Sequence, residues 1–310
     1  MGAVAMKRYL GIDIGGTSIK WCVLDDDFAI ADRGSVPTDF ESPTDLIAAL
    51  ATIGRPYQDD IAGVGVSAPG GFYENDLDGI VHRGGALAYM DGFPLGRALR
   101  EQLGVPVCVS NDGKCCALGE YKRGALRATR VGAVLTVGTG IGGGIVIGGH
   151  VVRGAHGFAG EFSFMSNNTE DCVAVEHVFG FTGGWLALRA AILEEKGIAG
   201  SAGVDGRKLF EWIDAGDEAA RRGLERYARM FDSNLLNLQA VLDPEVFAIG
   251  GGISANPALV EALNQQLPTV LAHYTGFIRD IPHPVIRRAE LGNDANLYGA
   301  VQELRDILHE

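Results

Sequence analysis

The chain has 310 residues, 47% of them hydrophobic and 21% charged, and its formal net charge is −13. These totals fit a globular protein with two compact domains or one large one, and the negative charge disfavours non-specific binding to nucleic acid or to an anionic membrane. The chain does not open with a cationic segment and a long apolar core, and no apolar run reaches about 18 residues, so we expect neither a signal peptide nor a membrane span.

The first part of the chain predicts an α/β arrangement that opens with a hairpin. Residues 9–14 and 18–24 are apolar strands, joined by a Gly-Gly-Thr turn at 15–17. The segment 72–91 has little periodicity and is predicted as a long loop, which in a compact domain is often functional. Further strands are predicted over 29–36, 61–66 and 105–109, and helices over 45–53, 94–103 and from 114 onwards.

The second part repeats this pattern. Strands are predicted over 134–137 and 145–147 around a glycine-rich turn at 138–144, and a second glycine-rich loop ends at Glu161. This weak internal repeat is expected when two similar α/β halves face each other across a cleft, and we place their boundary near residue 113. Later helices are predicted over 173–179, 182–195, 205–215, 217–242, 257–271 and 295–308, and later strands over 246–249 and 285–288.

Asp13 beside the turn at 15–17 forms a pattern suited to a magnesium-bound phosphate. The turn amides and the Thr17 hydroxyl would meet phosphate oxygens, and the carboxylate would reach the metal, directly or through water. The alternative is a hairpin turn without a ligand. Two more glycine loops, at 138–144 and 250–252, favour the phosphate interpretation, whereas neither a Walker motif nor a dinucleotide-binding motif in strand–helix context is present.

Asn111 and Asp112 lie where a predicted strand gives way to a predicted helix, a common position for catalytic carboxylates in open α/β sheets. A lone aspartate there is more often an N-cap. Its position between two phosphate-type loops instead favours a base that accepts a proton from an alcohol attacking a γ-phosphate. Glu161 and Glu176 are either surface residues or acceptors of hydrogen bonds from sugar hydroxyls, and for Glu176 the surface interpretation is favoured.

The cysteines and histidines predict no metal site. The five cysteines lack the spacing of a disulfide framework, which is typical of reduced thiols in the cytoplasm. Cys115 and Cys116 are adjacent, a poor spacing for one tetrahedral site, and Cys172 stands alone. The histidines at 150, 156 and 177 form no recognisable cluster.

Taken together, these motifs resemble those of the ROK family (repressors, open reading frames and sugar kinases). The resemblance extends over essentially the whole chain and rests on five segments in the family's order and spacing, 13–17, 111–112, 138–144, 156–161 and 250–252. It implies an α/β, two-lobed actin-like ATPase (ribonuclease H-like) fold with a cleft between lobes. The N-terminal lobe would be 1–113, with the helix 295–310 packed back on it, and the C-terminal lobe would be 114–294.

The resemblance also implies ATP- and Mg²⁺-dependent phosphorylation of a sugar hydroxyl, usually O6, by a homodimer. The negative charge and the cysteine spacing, rather than the resemblance, predict a cytoplasmic protein with no nucleic-acid or membrane partner. By this analogy Asp112 is the catalytic base, and Asp13 reaches Mg²⁺ through phosphate or water. The implied sugar contacts are Asn111, Asp112, Glu161, Glu176, Gly71 and Gly85. The implied nucleotide contacts are Asp13, Gly15, Gly16, Thr17, Lys20, Thr139, Gly140, Gly250, Gly251 and Gly252.

The sequence departs from the family pattern in ways that bear on zinc and on the sugar. Most members hold structural Zn²⁺ with a histidine and three cysteines, but here Phe164 stands at the histidine position and only Cys172 lies in the cysteine region, so we expect no zinc. Ala86 replaces the usual asparagine near the sugar. Because both changes remove polar groups, they predict tolerance of a substituted anomeric oxygen. The chain thus resembles the β-glucoside kinase branch, which phosphorylates cellobiose and similar glucosides at O6. The spacing from Glu176 to Gly180 is one residue shorter than the family pattern.

Three alternatives stay open. The substrate could be free glucose or N-acetylmannosamine, as in a glucokinase or an N-acetylmannosamine kinase. A sugar-sensing ROK regulator is disfavoured, because its helix-turn-helix domain needs tens of residues where only twelve precede Asp13. A sugar-binding pseudokinase is disfavoured because Asp112 and all three glycine loops are present.

Overall fold

The computed structural model describes residues 6–73, 78–166, 174–200, 203–273 and 281–309. Contacts between residues group them into two units. Unit 1 contains the described residues of Met1–Gly124, Gly149–Gly160 and Asn293–Glu310, and unit 2 contains those of Ala125–Gly148 and Glu161–Gly292. In this described part of the chain, no helix has the length and apolar character needed to cross a bilayer.

The strands and helices follow in chain order. The strands are β1 (Arg8–Ile14), β2 (Ser18–Asp25), β3 (Ile30–Pro37), β4 (Val64–Ala68), β5 (Val107–Asn111), β6 (Val131–Val137), β7 (Ile141–Ile147), β8 (His150–Val151), β9 (Val246–Gly250) and β10 (Val285–Arg288). The helices are α1 (Pro43–Gly54), α2 (Leu95–Leu103), α3 (Asp112–Arg123), α4 (Phe179–Thr182), α5 (Trp185–Glu195), α6 (Gly206–Asp214), α7 (Glu218–Leu242), α8 (Pro257–Ala272) and α9 (Ala295–His309).

Unit 1 contains a mixed sheet with the strand order β3-β2-β1-β4-β5. The pairs β1–β2 and β2–β3 are antiparallel, whereas β1–β4 and β4–β5 are parallel. One face of the sheet carries the branched apolar side chains of alternate positions, such as Leu10 and Ile12, which form a core with α1 and α2. Apolar residues on alternate positions of a strand bury one face, so this half follows directly from the sequence pattern.

The opposite face of the unit 1 sheet is covered by α9. Gly11 and Gly65 lie opposite each other in β1 and β4, and a Cβ atom added at Gly65 would lie 2.2 Å from Ala300 O. The same close approach recurs where α9 crosses α3, since a Cβ at Gly299 would lie 1.8 Å from Cys115 O. Glycine at these positions therefore allows α9 to pack directly on the sheet and on α3.

Unit 2 contains a sheet in which β10, β9, β6 and β7 are neighbours in that order. The β6–β7 pair is an antiparallel hairpin, and β9 is parallel to both β6 and β10. The long helix α7 packs against α5 and α8. Asp232 lies fully buried on α7, and within the described residues neither of its carboxylate oxygens has a hydrogen-bond partner.

The observed elements differ from the predicted ones in several places. Strand β7 begins at Ile141, inside the turn predicted at 138–144. Of the predicted helix 182–195, Thr182 is the last residue of α4, and two glycines separate it from α5, which begins at Trp185. The predicted helix 173–179 is wrong where the structure describes it, since a short 3₁₀ helix, Val175–His177, precedes α4. Residue 113, the predicted lobe boundary, lies within α3, which the contacts place in unit 1 together with the segment Gly149–Gly160.

Candidate active site

Asp13 lies at the end of β1, where two side chains hold its carboxylate. Ser67 Oγ donates to Asp13 Oδ1 over 2.7 Å, and Asn296 Nδ2 on α9 donates to the same oxygen over 2.9 Å. Asp13 is only 8% exposed, and no described residue donates to its Oδ2. Hydrogen bonds to an ionised acceptor are the stronger ones, so one oxygen is fixed while the other can meet a ligand. Lys20 pairs with Asp13 across β1 and β2, which places both side chains on one face of the sheet.

The turn after β1 is a tight hairpin loop with an open tip. Gly15 N donates to Ser18 O over 3.0 Å, and Thr38 Oγ1 donates to Gly15 O over 2.8 Å, so the base of the loop is fixed. Gly16 and Thr17, at the tip, are exposed. Backbone amides that no side chain covers can approach a phosphate closely.

Asn111 and Asp112 form the junction between β5 and α3. Asn111 Oδ1 accepts from Lys114 N over 3.2 Å, which makes Asn111 the N-cap of α3. Asn111 Nδ2 donates to Gly70 O over 2.9 Å and to Asp112 Oδ1 over 3.0 Å, and Gly113 N donates to Asp112 Oδ1 over 2.8 Å. The N-cap of α3 is therefore Asn111 and not Asp112. The Asp112 carboxylate is held in one orientation by the hydrogen bonds to its Oδ1.

The two glycines predicted to contact sugar lie on the loops between β4 and α2. Gly71 exchanges two backbone hydrogen bonds with His82, of 2.5 and 3.1 Å, and is buried. Gly85 has a φ of +55° and begins the 3₁₀ helix Gly85–Met90, where it is exposed. The loop of Gly71 is also the one that accepts the hydrogen bond of Asn111, so these predicted contacts share one part of unit 1.

In unit 2, the turn between β6 and β7 is held by the start of α5. Gly138 N donates to Gly140 O over 3.0 Å, and Trp185 N donates to Gly138 O over 2.9 Å. A Cβ at Gly184 would lie 2.2 Å from Thr139 O, so only glycine allows this approach. The turn therefore keeps a fixed shape.

The glycines at 250–252 lie at the same end of the unit 2 sheet. Gly250 is opposite Thr136 in the parallel register of β9 and β6. Gly251 has a φ of +90°, and a Cβ there would lie 2.3 Å from Val137 O. A Cβ at Gly252 would meet nothing within 4 Å. The structure thus brings the predicted nucleotide residues of unit 2 together at the carboxyl end of its parallel strands, where ligands bind in open α/β sheets.

A pocket of about 540 Å³ opens beside these two turns. Helix α6, with Asp205 as its N-cap, forms one wall, and the pocket combines aromatic and polar side chains, as ligand pockets commonly do. The sequence does not predict this wall, because neither α5 nor α6 carries a binding motif. The lining includes Gly138, Trp185, Asp205, Arg207, Phe210, Asp214 and Gly252.

The predicted carboxylates of unit 2 lie beside or within short 3₁₀ helices. Glu161 immediately precedes Phe162–Phe164 and is half-buried, whereas Glu176 lies within Val175–His177 and is exposed. Phe164, which takes the family's histidine position, is 65% exposed. The sugar contacts of Glu161 and Glu176 stay predictions.

The structure offers no metal cluster among the residues that it describes, where no group of three His, Cys, Asp or Glu side chains could hold an ion. Cys172 lies outside these residues. Burial raises the pKa of Cys22 to about 12 and that of Cys108 to about 11. Since the thiolate is the form that binds metals and reacts, these two thiols are inert at neutral pH.

Comparison with known proteins extends over nearly the whole chain. A family model described as "ROK family" matches residues 9–306. A protein of Listeria monocytogenes named "Beta-glucoside kinase" is 32% identical over 95% of this chain and 96% of its own. A ROK family protein from Streptococcus pneumoniae, solved in complex with sucrose, has a TM-score of 0.83 and 31% identity over 97% of this chain and 99% of its own.

A third similar structure carries both types of ligand. A ROK family glucokinase from Streptomyces griseus, solved with glucose and AMPPNP, has a TM-score of 0.77 and 25% identity over 97% of this chain and 100% of its own. These neighbours confirm the predicted α/β actin-like ATPase fold.

Proposed function

This chain belongs to the ROK family, and we propose that it is an ATP-dependent sugar kinase that phosphorylates the 6-hydroxyl of a glucose-type sugar, preferably of a β-glucoside such as cellobiose. The observation that carries the proposal is the junction of β5 and α3, where Asn111 caps the helix and fixes the Asp112 carboxylate. Alcohol phosphorylation needs such a positioned acceptor for the hydroxyl proton.

In the proposed reaction, Asp112 accepts the proton of the sugar O6 hydroxyl as that oxygen forms a bond to the γ-phosphorus of ATP. The bond from the γ-phosphorus to the bridging oxygen breaks, and ADP leaves with that oxygen. Asn111 and Gly113 hold the carboxylate through Oδ1, at 3.0 and 2.8 Å, so the base does not have to be ordered when substrate arrives.

The phosphate side of the proposal rests on the glycine turns. In unit 1 the open tip at Gly16 and Thr17 would donate to phosphate oxygens, and in unit 2 the turns at Thr139–Gly140 and 250–252 adjoin a pocket with room for a nucleoside. Asp13 fits Mg²⁺, because a carboxylate oxygen without a described donor is a typical ligand of this ion or of its water. Bound Mg²⁺ would neutralise developing phosphate charge.

Preference for a β-glucoside is supported by the apolar replacements at the sugar end and by two relatives. Phe164 is exposed where most members present a histidine, and such a change removes a polar group that a free anomeric hydroxyl could use. The Listeria relative is named a β-glucoside kinase, and the Streptococcus neighbour was solved with sucrose, whose glucose unit carries a substituted anomeric oxygen, although in the α linkage. Glucose and N-acetylmannosamine are the alternative substrates. A homodimer stays a prediction of the family resemblance, and a cytoplasmic location stays a prediction of the cysteine spacing.

The test is a coupled ADP-release assay with glucose, mannose, N-acetylmannosamine, cellobiose and an aryl β-glucoside. Asp112→Asn is expected to lower kcat by roughly 10²- to 10⁴-fold, the usual contribution of a general base, while calorimetry still detects sugar binding. Asp45→Asn, an acidic residue in the first turn of α1, is the matched control and should keep wild-type turnover. Wild-type kcat in Asp112→Asn would contradict the assignment of the base.

A further inference from the structure

We propose that unit 1 carries a binding subsite for the aglycone of a β-glucoside, formed by Tyr73, His82, Arg83 and Phe158 and called here the aglycone platform. The inference rests on the proposed function and names the part of the protein that would recognise the second ring of the substrate. Two exposed aromatic rings, each packed against a side chain able to donate hydrogen bonds, are the observation that carries it.

The first ring belongs to Tyr73. It stacks on the His82 imidazole with ring centroids 4.3 Å apart and planes at 26°, and the residue is 40% exposed. The main chain of His82 is fixed by two backbone hydrogen bonds to Gly71. Tyr73 is therefore supported on one side and open to solvent, which lowers the conformational entropy that a ligand must remove.

The second ring belongs to Phe158, which is 43% exposed. The Arg83 guanidinium carbon lies 5.7 Å from its centroid, a distance typical of a cation–π contact. A Cβ at Gly71 would lie 2.2 Å from Arg83 Nη2, so the guanidinium packs over this glycine. A Cβ at Gly157 would lie 2.5 Å from Phe72 O, which places the Phe158 segment against the loop that carries Tyr73.

Arg83 also has an unusual backbone. Its φ of +53° lies in the left-handed region, which residues other than glycine rarely adopt. Such strain is concentrated at binding and catalytic loops, where the surrounding structure maintains it. The strained backbone places Arg83 between Gly71 and Phe158.

The platform adjoins the residues proposed to hold the sugar that is phosphorylated. Gly71 is one of them, and Asn111 Nδ2 donates over 2.9 Å to Gly70 O on the same loop. A β-glucoside that presents O6 to Asp112 carries a further ring on its anomeric oxygen. Sugar rings expose C–H groups on one face and hydroxyls at their edge, so an aromatic ring beside an arginine or a histidine suits such a ligand, and aryl aglycones would stack on it as well.

The experiment compares cellobiose with glucose in Tyr73→Ala, Phe158→Ala and the double variant, by steady-state kinetics and by calorimetry without nucleotide. We expect KM and Kd for cellobiose to rise roughly fivefold for each substitution, in line with the contribution of one aromatic contact, and values for glucose to stay within about twofold. Tyr73→Phe and Phe158→Tyr should restore cellobiose binding, since they keep the rings. Val241→Ala, which removes an apolar side chain that is 80% exposed on α7, is the control.

Equal changes for both sugars, or no change for cellobiose, would overturn the aglycone platform while leaving a kinase active on glucose. If Tyr73→Ala and Phe158→Ala weaken the binding of cellobiose, the platform is supported even when the wild type phosphorylates no glucoside. A failure to phosphorylate glucosides would then count only against the proposed function. A wild type that neither binds nor phosphorylates cellobiose or aryl β-glucosides overturns the platform.

Discussion

Replacing Asp232 by asparagine should make unit 2 more stable at neutral pH and change how its stability depends on pH. Asp232 is fully buried on α7, and burial raises its pKa to about 8. The unfolded chain ionises this carboxyl near its ordinary value of about 4, so between about pH 4 and 8 the unfolded state binds fewer protons than the folded state. The free energy of unfolding therefore falls as pH rises through this window and is highest below it.

The size of the effect follows from proton linkage. Each pH unit in the window removes about 1.4 kcal/mol, so the three units from pH 4 to pH 7 amount to about 4 kcal/mol. Asparagine has the shape of the protonated acid and does not ionise. Asp232→Asn should therefore match the wild type near pH 4 and exceed it by several kcal/mol at pH 7.

Urea denaturation at pH 5, 6, 7 and 8 measures this difference. In a Trp21→Phe background the remaining tryptophans, Trp185 and Trp212, both lie in unit 2, so their fluorescence reports on that unit. Glu225→Gln makes the same charge change on the same helix at a half-buried position and is the matched control. A stability difference between Asp232→Asn and the wild type that stays constant from pH 5 to pH 8 would refute the reasoning.

Two further substitutions test the candidate site. Asn296→Ala removes one of the two donors to Asp13 Oδ1. Because a hydrogen bond to a charged group contributes about 1.5–3 kcal/mol, kcat/KM for ATP, measured in a Mg²⁺ titration, should fall by about 10- to 100-fold. A fall of less than about twofold would contradict this role of Asn296. Gly251→Ala adds a Cβ atom 2.3 Å from Val137 O at a left-handed φ of +90°, so Tm and the affinity for AMPPNP should both fall. Gly252→Ala is the control, because its Cβ would meet open space, and it should keep the wild-type Tm. Equal Tm values for the two glycine variants would show that the turn relaxes freely.

Local features of the sequence predicted most of the sheets and the glycine turns. Alternating or continuous apolar residues located β1, β2, β6, β9 and the end of β7, and Gly15-Gly16 located the β1–β2 turn, because both signals act over a few residues. Gly142–Gly144 were predicted as part of a turn but lie within β7, where they pair with β6. The same reasoning placed residues 183 and 184 inside a helix predicted over 182–195, since glycines are tolerated within a helical pattern. Gly184 instead lets the start of α5 approach Thr139, which is a long-range contact.

The site could be predicted only where its residues lie beside a strand end or a turn. Asp13 and Asp112 have that local signature. Ser67 and Asn296 do not, because their role depends on which strand is the neighbour of β1 and on where α9 packs. The pocket wall that contains Trp185 was missed for the same reason, since its helices carry no motif.

The packing of α9 on unit 1 has a consequence for biosynthesis. This helix follows all of unit 2 in the chain, yet it covers one face of the first sheet and supplies the Asn296 donor to Asp13. While the ribosome is still translating unit 2, the glycine-lined face at Gly11 and Gly65 is uncovered, and the Asp13 carboxylate lacks one of its two donors. The nascent protein can therefore hold the Asp13 carboxylate with both donors only after α9 has left the exit tunnel, and until then one face of the first sheet lacks its cover.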